Sequence, residues 1–273
     1  MLRTESETGW WLTTHSDHAK LAGEIASAWG NEKFRRPEPR DRVLLGVNSN
    51  NDGWAEHDAN LLITRDGKPA AFSLEVVGQG AAFEEIDLQD YLKVRDHAAR
   101  SVGEKDPYAA LLIAMHTYSQ LTEHTDRSRI PSEGRVLLDD FLDQQRVYQE
   151  ELRAAITAQD SVTPEHKEEK VIQDHFKLLQ ACDKLALMAC VAFASPANLL
   201  HPLPLNDGEA AIVRVLPVRP REFRLHPWPF AEEELTLTFP ARHVKGKLFV
   251  SSSELQSALN AAQPQKLAVT LLQ

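Results

Sequence analysis

Only two cysteines occur in the 273-residue chain, Cys182 and Cys190. They fall within what reads as one helix, roughly 12 Å apart along its axis, too far for a disulfide. No disulfide scaffold is expected, and a reducing compartment fits. The N-terminal MLRTESETGWW is polar and has no apolar run of signal length. No stretch of about 18 residues is both apolar and uncharged, so no membrane span and no membrane partner are expected. The resulting expectation is a cytoplasmic protein. Basic residues are in deficit: 30 Lys and Arg against 40 Asp and Glu give a net charge of -10. Neutralising a phosphate backbone needs a basic face, which argues against nucleic acid as a partner. The phosphate-binding, dinucleotide-binding, His-Glu metalloprotease and nucleophile-elbow motifs are all missing. The cysteine spacing matches no zinc ribbon, and no serine stands out as a nucleophile. There is no internal repeat and no low-complexity tract.

What remains is ordinary for a globular protein: 42 % apolar and 26 % charged residues, enough for a sizeable core. The length suits one large domain, or a main domain with a small appendage. LRT and WWLTT around a polar turn predict a hairpin over 2–13. Thr14 is placed to cap a helix from His15 to Trp29, ended by Gly30-Asn31. VLLGV at 43–47 suits strand or helix equally. Asp66-Gly67 marks a turn. Helices follow over 87–102, from Pro107 with Asp106 as cap, over 132–158, and from Thr163-Pro164 to about Ala194. The 132–158 helix carries apolar Val136, Leu137, Phe141, Leu142, Val147 and Leu152. Glu84, Glu85 and Asp87 read as a solvated helix start. After residue 200 the texture changes to short alternating strands split by Pro and Gly, with a small helix at 254–262. The expected fold is therefore α+β: a mainly helical core over 1–199, and a small β-rich part over 200–273 that the N-terminal hairpin could join. HPWPF is expected to pack within the chain as a rigid wedge.

Ionisable residues stand where helix faces should be apolar. Residues 3, 4 and 7 apart share a face. Ile172, Phe176, Leu179, Asp183, Leu187 and Cys190 fall within about 80° of arc, with Asp183 near the middle. An unpaired buried carboxylate costs several kcal/mol, so Asp183 must meet a cation, a metal or donors. In the first helix His18, Ala22, Ile25 and Trp29 form a stripe, with His15 on its edge. His116 closes the apolar run ALLIAM. His175 adjoins Phe176, and Gln180 lies between it and Asp183. Imidazoles and a carboxylate drawn from three helices suit Zn, Mn or Fe. Each also has a plainer use as a hydrogen-bonded core group.

The segment NSNNDGWAEHD, 48–58, gathers small polar groups beside an indole. With LTTHSDHAKLAGEIASAWGN, DPYAALLIAMH, FKLLQACDKLALMAC, HPWPF and the closing strand, it resembles an uncharacterised bacterial family, a domain of unknown function. That resemblance implies a helical core similar to HD-type metal phosphohydrolases, plus a small β part, and implies no established activity. In the family the corresponding segment reads His-Asp-x-Gly-Trp. Carried over by position, His15 or His18 is the early histidine and Asp183 the late aspartate. The central His-Asp pair falls on Asn50 and Asn51. Asparagine is a poor transition-metal ligand, so any Zn, Mn or Fe site is weakened or lost. Asp52 and His57 are candidate replacements, and His57 follows Gly53-Trp54 instead of preceding it.

Two functions are therefore expected in competition. One is a metal-assisted hydrolase of a phosphate ester or similar small polar molecule. It has His15, His18, His116 and Asp183 as metal ligands and Asp52 or His175 as general base. The other is a binding protein in which Asn50, Asn51, Trp54 and Gln180 help hold a small polar ligand without chemistry. The residues set no oligomeric state.

Overall fold

The structure, a computed structural model, describes residues 1–71 and 87–273. Glu84 and Glu85 of the acid run lie outside the described residues. β1 (Leu2–Glu5) and β2 (Gly9–Thr13) form the N-terminal hairpin. Thr14 caps α1 (His15–Ala28), its hydroxyl accepting from the Asp17 amide. The open stretch VLLGV is helical, inside α2 (Arg40–Ser49), because Val43 and Val47 lie one turn apart on the buried face. A tight turn at Asp52–Trp54 leads into the short α3 (Ala55–Ala59). Asp87 caps α4 (Leu88–Gly103), and Asp106 caps α5 (Pro107–Glu123) with Pro107 in the first turn.

α5 is apolar all round, from Leu111 through Ala114, and runs through the centre of the helical body. α6 (Ser132–Ala158) has the expected bounds, but its buried face differs from the expected one. Val136 and Val147 are 62 % and 56 % exposed, while Leu138, Gln145, Leu152 and Ile156 point inward. The valines lie about half a helical turn away from Leu138, so period, not hydrophobicity, decided the face. α7 (Glu169–Cys190) is shorter than its sequence suggests. Thr163-Pro164 opens only a single turn at Glu165–Lys167. At the other end Ala192 takes a φ of 50°. The Ala192 and Phe193 amides then close back on the Ala189 and Met188 carbonyls, a left-handed stop that needs no proline.

The C-terminal region supplies β3 (Ala197–Asn198), β4 (Leu203–Pro204), β5 (Ala210–Ala211), β6 (Arg214–Arg219), β7 (Glu222–His226), β8 (Glu234–Lys245), α8 (Ser252–Ala261) and β9 (Pro264–Leu272). The main sheet has the order β1-β2-β8-β9-β7-β6-β3, and β4 pairs separately with β5. The chain is thus α+β, and the N-terminal hairpin joins the C-terminal strands through Trp10 opposite Val244. One hydrophobic cluster runs from Ile25, Val47, Leu112 and Leu179 of the helices to Phe223 and Leu271 of the sheet. The HPWPF wedge packs inside the chain: Phe230 meets Trp29 and Trp228 edge-on, with ring centroids at 5.5 and 4.9 Å. Among the described residues no helix is long and apolar enough to cross a membrane.

Candidate functional site

A buried polar recess lies where α1, α4, α5 and α7 meet the turn at Asp52–Trp54. It is lined by His18, Asn51, Trp54, Tyr91, Arg95, His116 and Asp183, together with Leu2, His15, Gln120 and Leu187. The fold places these groups for simple reasons. His18 sits on the same stripe of α1 that packs on α7, so its ring reaches Asp183. Asn51 is held in place by the turn behind it, where Gly53 lets the backbone approach α4 closely. A β-carbon at Gly53 would lie 2.0 Å from the Val94 carbonyl oxygen. This explains the glycine between the asparagines and Trp54.

Asp183 is the hub. Its two carboxylate oxygens lie 3.7 Å from His18 Nε2 and 3.8 Å from His116 Nε2. His18 Nε2–H donates to the Asp183 backbone carbonyl at 3.1 Å. That leaves His18 Nδ1 to accept from Asn51 Nδ2 at 3.3 Å. The Asn51 amide also makes a long contact, 3.4 Å, to Asp183 Oδ1. Burial pushes the Asp183 carboxyl upward, but His18, His116, Arg95 and the Asn51 amide bring it below its ordinary value. Burial holds His116 neutral, with its pKa lowered to about 3. Arg95 is therefore the lasting cation, since a guanidinium stays charged.

Several buried atoms here have no partner among the described residues. Arg95 Nε donates to Thr117 Oγ1 at 3.2 Å, but Arg95 Nη2 and both ring nitrogens of His116 find none. Native interiors leave few such groups, and each costs about 1–3 kcal/mol.

His15 contributes differently. Its ring stacks on Trp54 at 4.3 Å. Its Nδ1 and backbone amide donate to the two oxygens of Asp58, at 2.8 and 2.6 Å. The Met1 ammonium reaches Asp58 at 2.7 Å. Burial first, and then that ammonium, lower His15 to about 4. Burial would raise Asp58, but His15 and the ammonium outweigh it and hold it well below the carboxylate range.

The structure thus brings together His15, His18, His116, Asp183, Asn51 and Trp54. Five other candidates lie elsewhere. Asn50 turns its amide back onto the Val47 carbonyl at 2.8 Å, because it ends α2 and meets the free carbonyls there. Asp52 is exposed, since it opens the turn facing solvent. Gln180 donates to Ser119 Oγ at 3.1 Å on the α5 side of α7. His175 is two turns of α7 away from Asp183 and pairs with Tyr108. His57 packs edge-on against Trp54 and does not line the recess. Sequence reasoning missed Tyr91, Arg95 and Gln120. Arg95 carries the same signal as Asp183, a charge on an apolar stripe formed by Leu92, Ala98, Ala99 and Val102.

The residues present fit a metal ion poorly. His18 Nε2 is committed as a donor, Asn51 presents N–H groups, and the positive charge of Arg95 acts on the single carboxylate. Among the described residues no group of three or more His, Cys, Asp or Glu side chains is gathered as a metal site.

A helical body packed on a seven-stranded mixed sheet, with a recess between its helices lined by both Arg95 and Asp183, defines an α+β protein with a small polar pocket. The chain belongs to the DUF3891 family, described as proteins of unknown function, whose profile matches residues 1–246. No curated protein and no solved structure matches it.

Proposed function

We propose that the recess recognises the head group of a small polar molecule that is neutral overall or zwitterionic. The observation carrying this is that Arg95 and Asp183 line one recess in which several polar atoms find no hydrogen-bond partner among the described residues. Arg95 Nη2 needs an acceptor. His116 offers one donor and one acceptor, Asn51 offers donors, and Asp183 accepts. A carboxamide, urea or amino-acid head group supplies both kinds of atom side by side. A phosphate monoester suits less well, because its charge would face Asp183. The cavity measures about 50 Å³, room for roughly three to five waters, so a head group enters and not a whole nucleotide.

Catalysis by a metal-assisted hydrolase is the second reading. The resemblance to HD-type phosphohydrolases suggests it, and one observation favours it. Both histidine Nε2 atoms stand at similar distances, 3.7 and 3.8 Å, from the two oxygens of Asp183. A thermal-shift screen separates the readings. Amides, ureas and amino acids should raise the melting temperature, by an amount equivalent to about 2.7 kcal/mol at a hundredfold excess over Kd. Zn, Mn and Fe should not. Stoichiometric metal in protein purified without chelator or affinity tag, with phosphatase activity that chelation removes, would reverse the order.

A further inference from the structure

A second cavity, about 250 Å³ and partly open to solvent, lies away from Asp183, between the 31–39 loop and the first turns of α7. His175 forms part of its wall. We propose that this cavity is a second ligand site, for a phosphate group carried by a small molecule, held by Arg35, Arg36 and the Nε2–H of His175.

His175 is only 6 % exposed. Its Nδ1 lies 2.7 Å from the Tyr108 hydroxyl. Tyr108 is fully buried, and burial raises its phenol well above the ordinary range, so it keeps its proton. No other acceptor for that hydroxyl exists among the described residues, so it donates to Nδ1. The neutral imidazole must then carry its own proton on Nε2. Nε2 has no hydrogen-bond partner among the described residues, and the ring borders the cavity. A donor on a largely buried ring thus borders the cavity, and Tyr108 fixes its tautomer.

Arg35 and Arg36 complete the set. Neither guanidinium has an ion pair or hydrogen bond among the described residues, although both line the cavity. The loop that carries them is fixed. Asn31 Oδ1 accepts from the Lys33 and Phe34 amides, both at 2.8 Å. Gly30 sits at a φ of 113° against the Arg36 stem, and a β-carbon there would lie 2.1 Å from Arg36 Cγ. Two guanidiniums on a fixed loop and one N–H match the three oxygens and double charge of a phosphate better than a carboxylate.

Three acids also line the space. Glu38 accepts from the Arg40 amide at 3.1 Å, and Asp174 lies 3.6 Å from Lys177 Nζ. Glu165 belongs to the exposed turn before α7. Burial lowers the His175 pKa to about 3, so the ring is neutral, and Arg35 stands near enough to add to that lowering.

Titration of the intact chain with inorganic phosphate, followed by calorimetry and by ¹⁵N resonances of the histidine rings, tests this. Saturable one-to-one binding is expected, with a shift at His175 Nε2 and weaker binding of acetate at matched ionic strength. Arg35→Ala and Arg36→Ala, both on the surface, should each weaken phosphate by about tenfold. Tyr108→Phe should weaken it less and mix the His175 tautomers, which a purely structural tyrosine would not do. Phosphate binding no stronger than acetate, or binding that survives both arginine variants, overturns the proposal.

Discussion

Two acid-histidine clusters lie side by side in the helical body, and they differ in how far each is satisfied. In the first, Asp58 accepts from the His15 ring and backbone amide and meets the Met1 ammonium, all within 2.6 to 2.8 Å. In the second, Asp183 meets His18, His116 and Asn51 at 3.4 to 3.8 Å, with His116 and Arg95 Nη2 left unpartnered. Both centre on an aspartate and a histidine, yet the first makes short contacts while the second leaves polar atoms without a partner among the described residues. Distance and completeness separate the fold-holding cluster at Asp58 from the cluster proposed to bind a ligand.

Acidification should strain both clusters and give the largest effect. His15, His116 and His175 have pKa values lowered from 6.5 to about 4, 3 and 3. The unfolded chain therefore takes up these protons before the folded one does. Their contribution to stability is present near neutral pH and is lost as pH falls from about 6.5 toward 4. Each group adds up to about 1.4 kcal/mol per pH unit to that slope. Urea unfolding at pH 7.5 and pH 5 checks this, and equal midpoints would mean the rings are not buried neutral.

The clusters should then part under matched substitutions. Asp58→Asn should cost about 3–5 kcal/mol, because its neighbours stay buried without their carboxylate. Asp183→Asn should cost about 1 kcal/mol or less, yet abolish binding of the polar ligand in calorimetry. Equal costs would make Asp183 a second structural cluster and remove the proposed pocket function.

Asn51→Asp sharpens the metal question. A second carboxylate beside Asp183 should destabilise the chain by about 1–2 kcal/mol. It should also create a rise in melting temperature with Mn or Zn that the native chain lacks. The same rise in the native chain would restore the metal reading. Asp52→Ala should do least, within about 0.5 kcal/mol and with ligand affinity unchanged, because Asp52 faces solvent beside the recess.

Much of the site was legible because buried charge is costly. Asp183 and His18 stood out on apolar stripes, and the structure joins them at 3.7 Å. Arg95 obeys the same rule, on the stripe of Leu92, Ala98, Ala99 and Val102. Asn50 and Gln180 were misplaced because neighbours in sequence point about 100° apart on a helix or turn. His175 shares α7 with Asp183, but the two belong to separate cavities.

The sequence by itself determined the helix boundaries with local signals: the Thr14, Asp87 and Asp106 caps, Pro107 in its first turn, and the alternating strands after residue 200. Side-chain chemistry within a few residues sets those features, so they need no distant partner. Only the tertiary structure decided that the N-terminal hairpin pairs with β8, that Asp58 closes on His15, and that Asp183 stays open. These contacts join residues 43 to more than 160 positions apart. Whether a buried polar atom finds its partner depends on that long-range packing, which local periodicity does not encode.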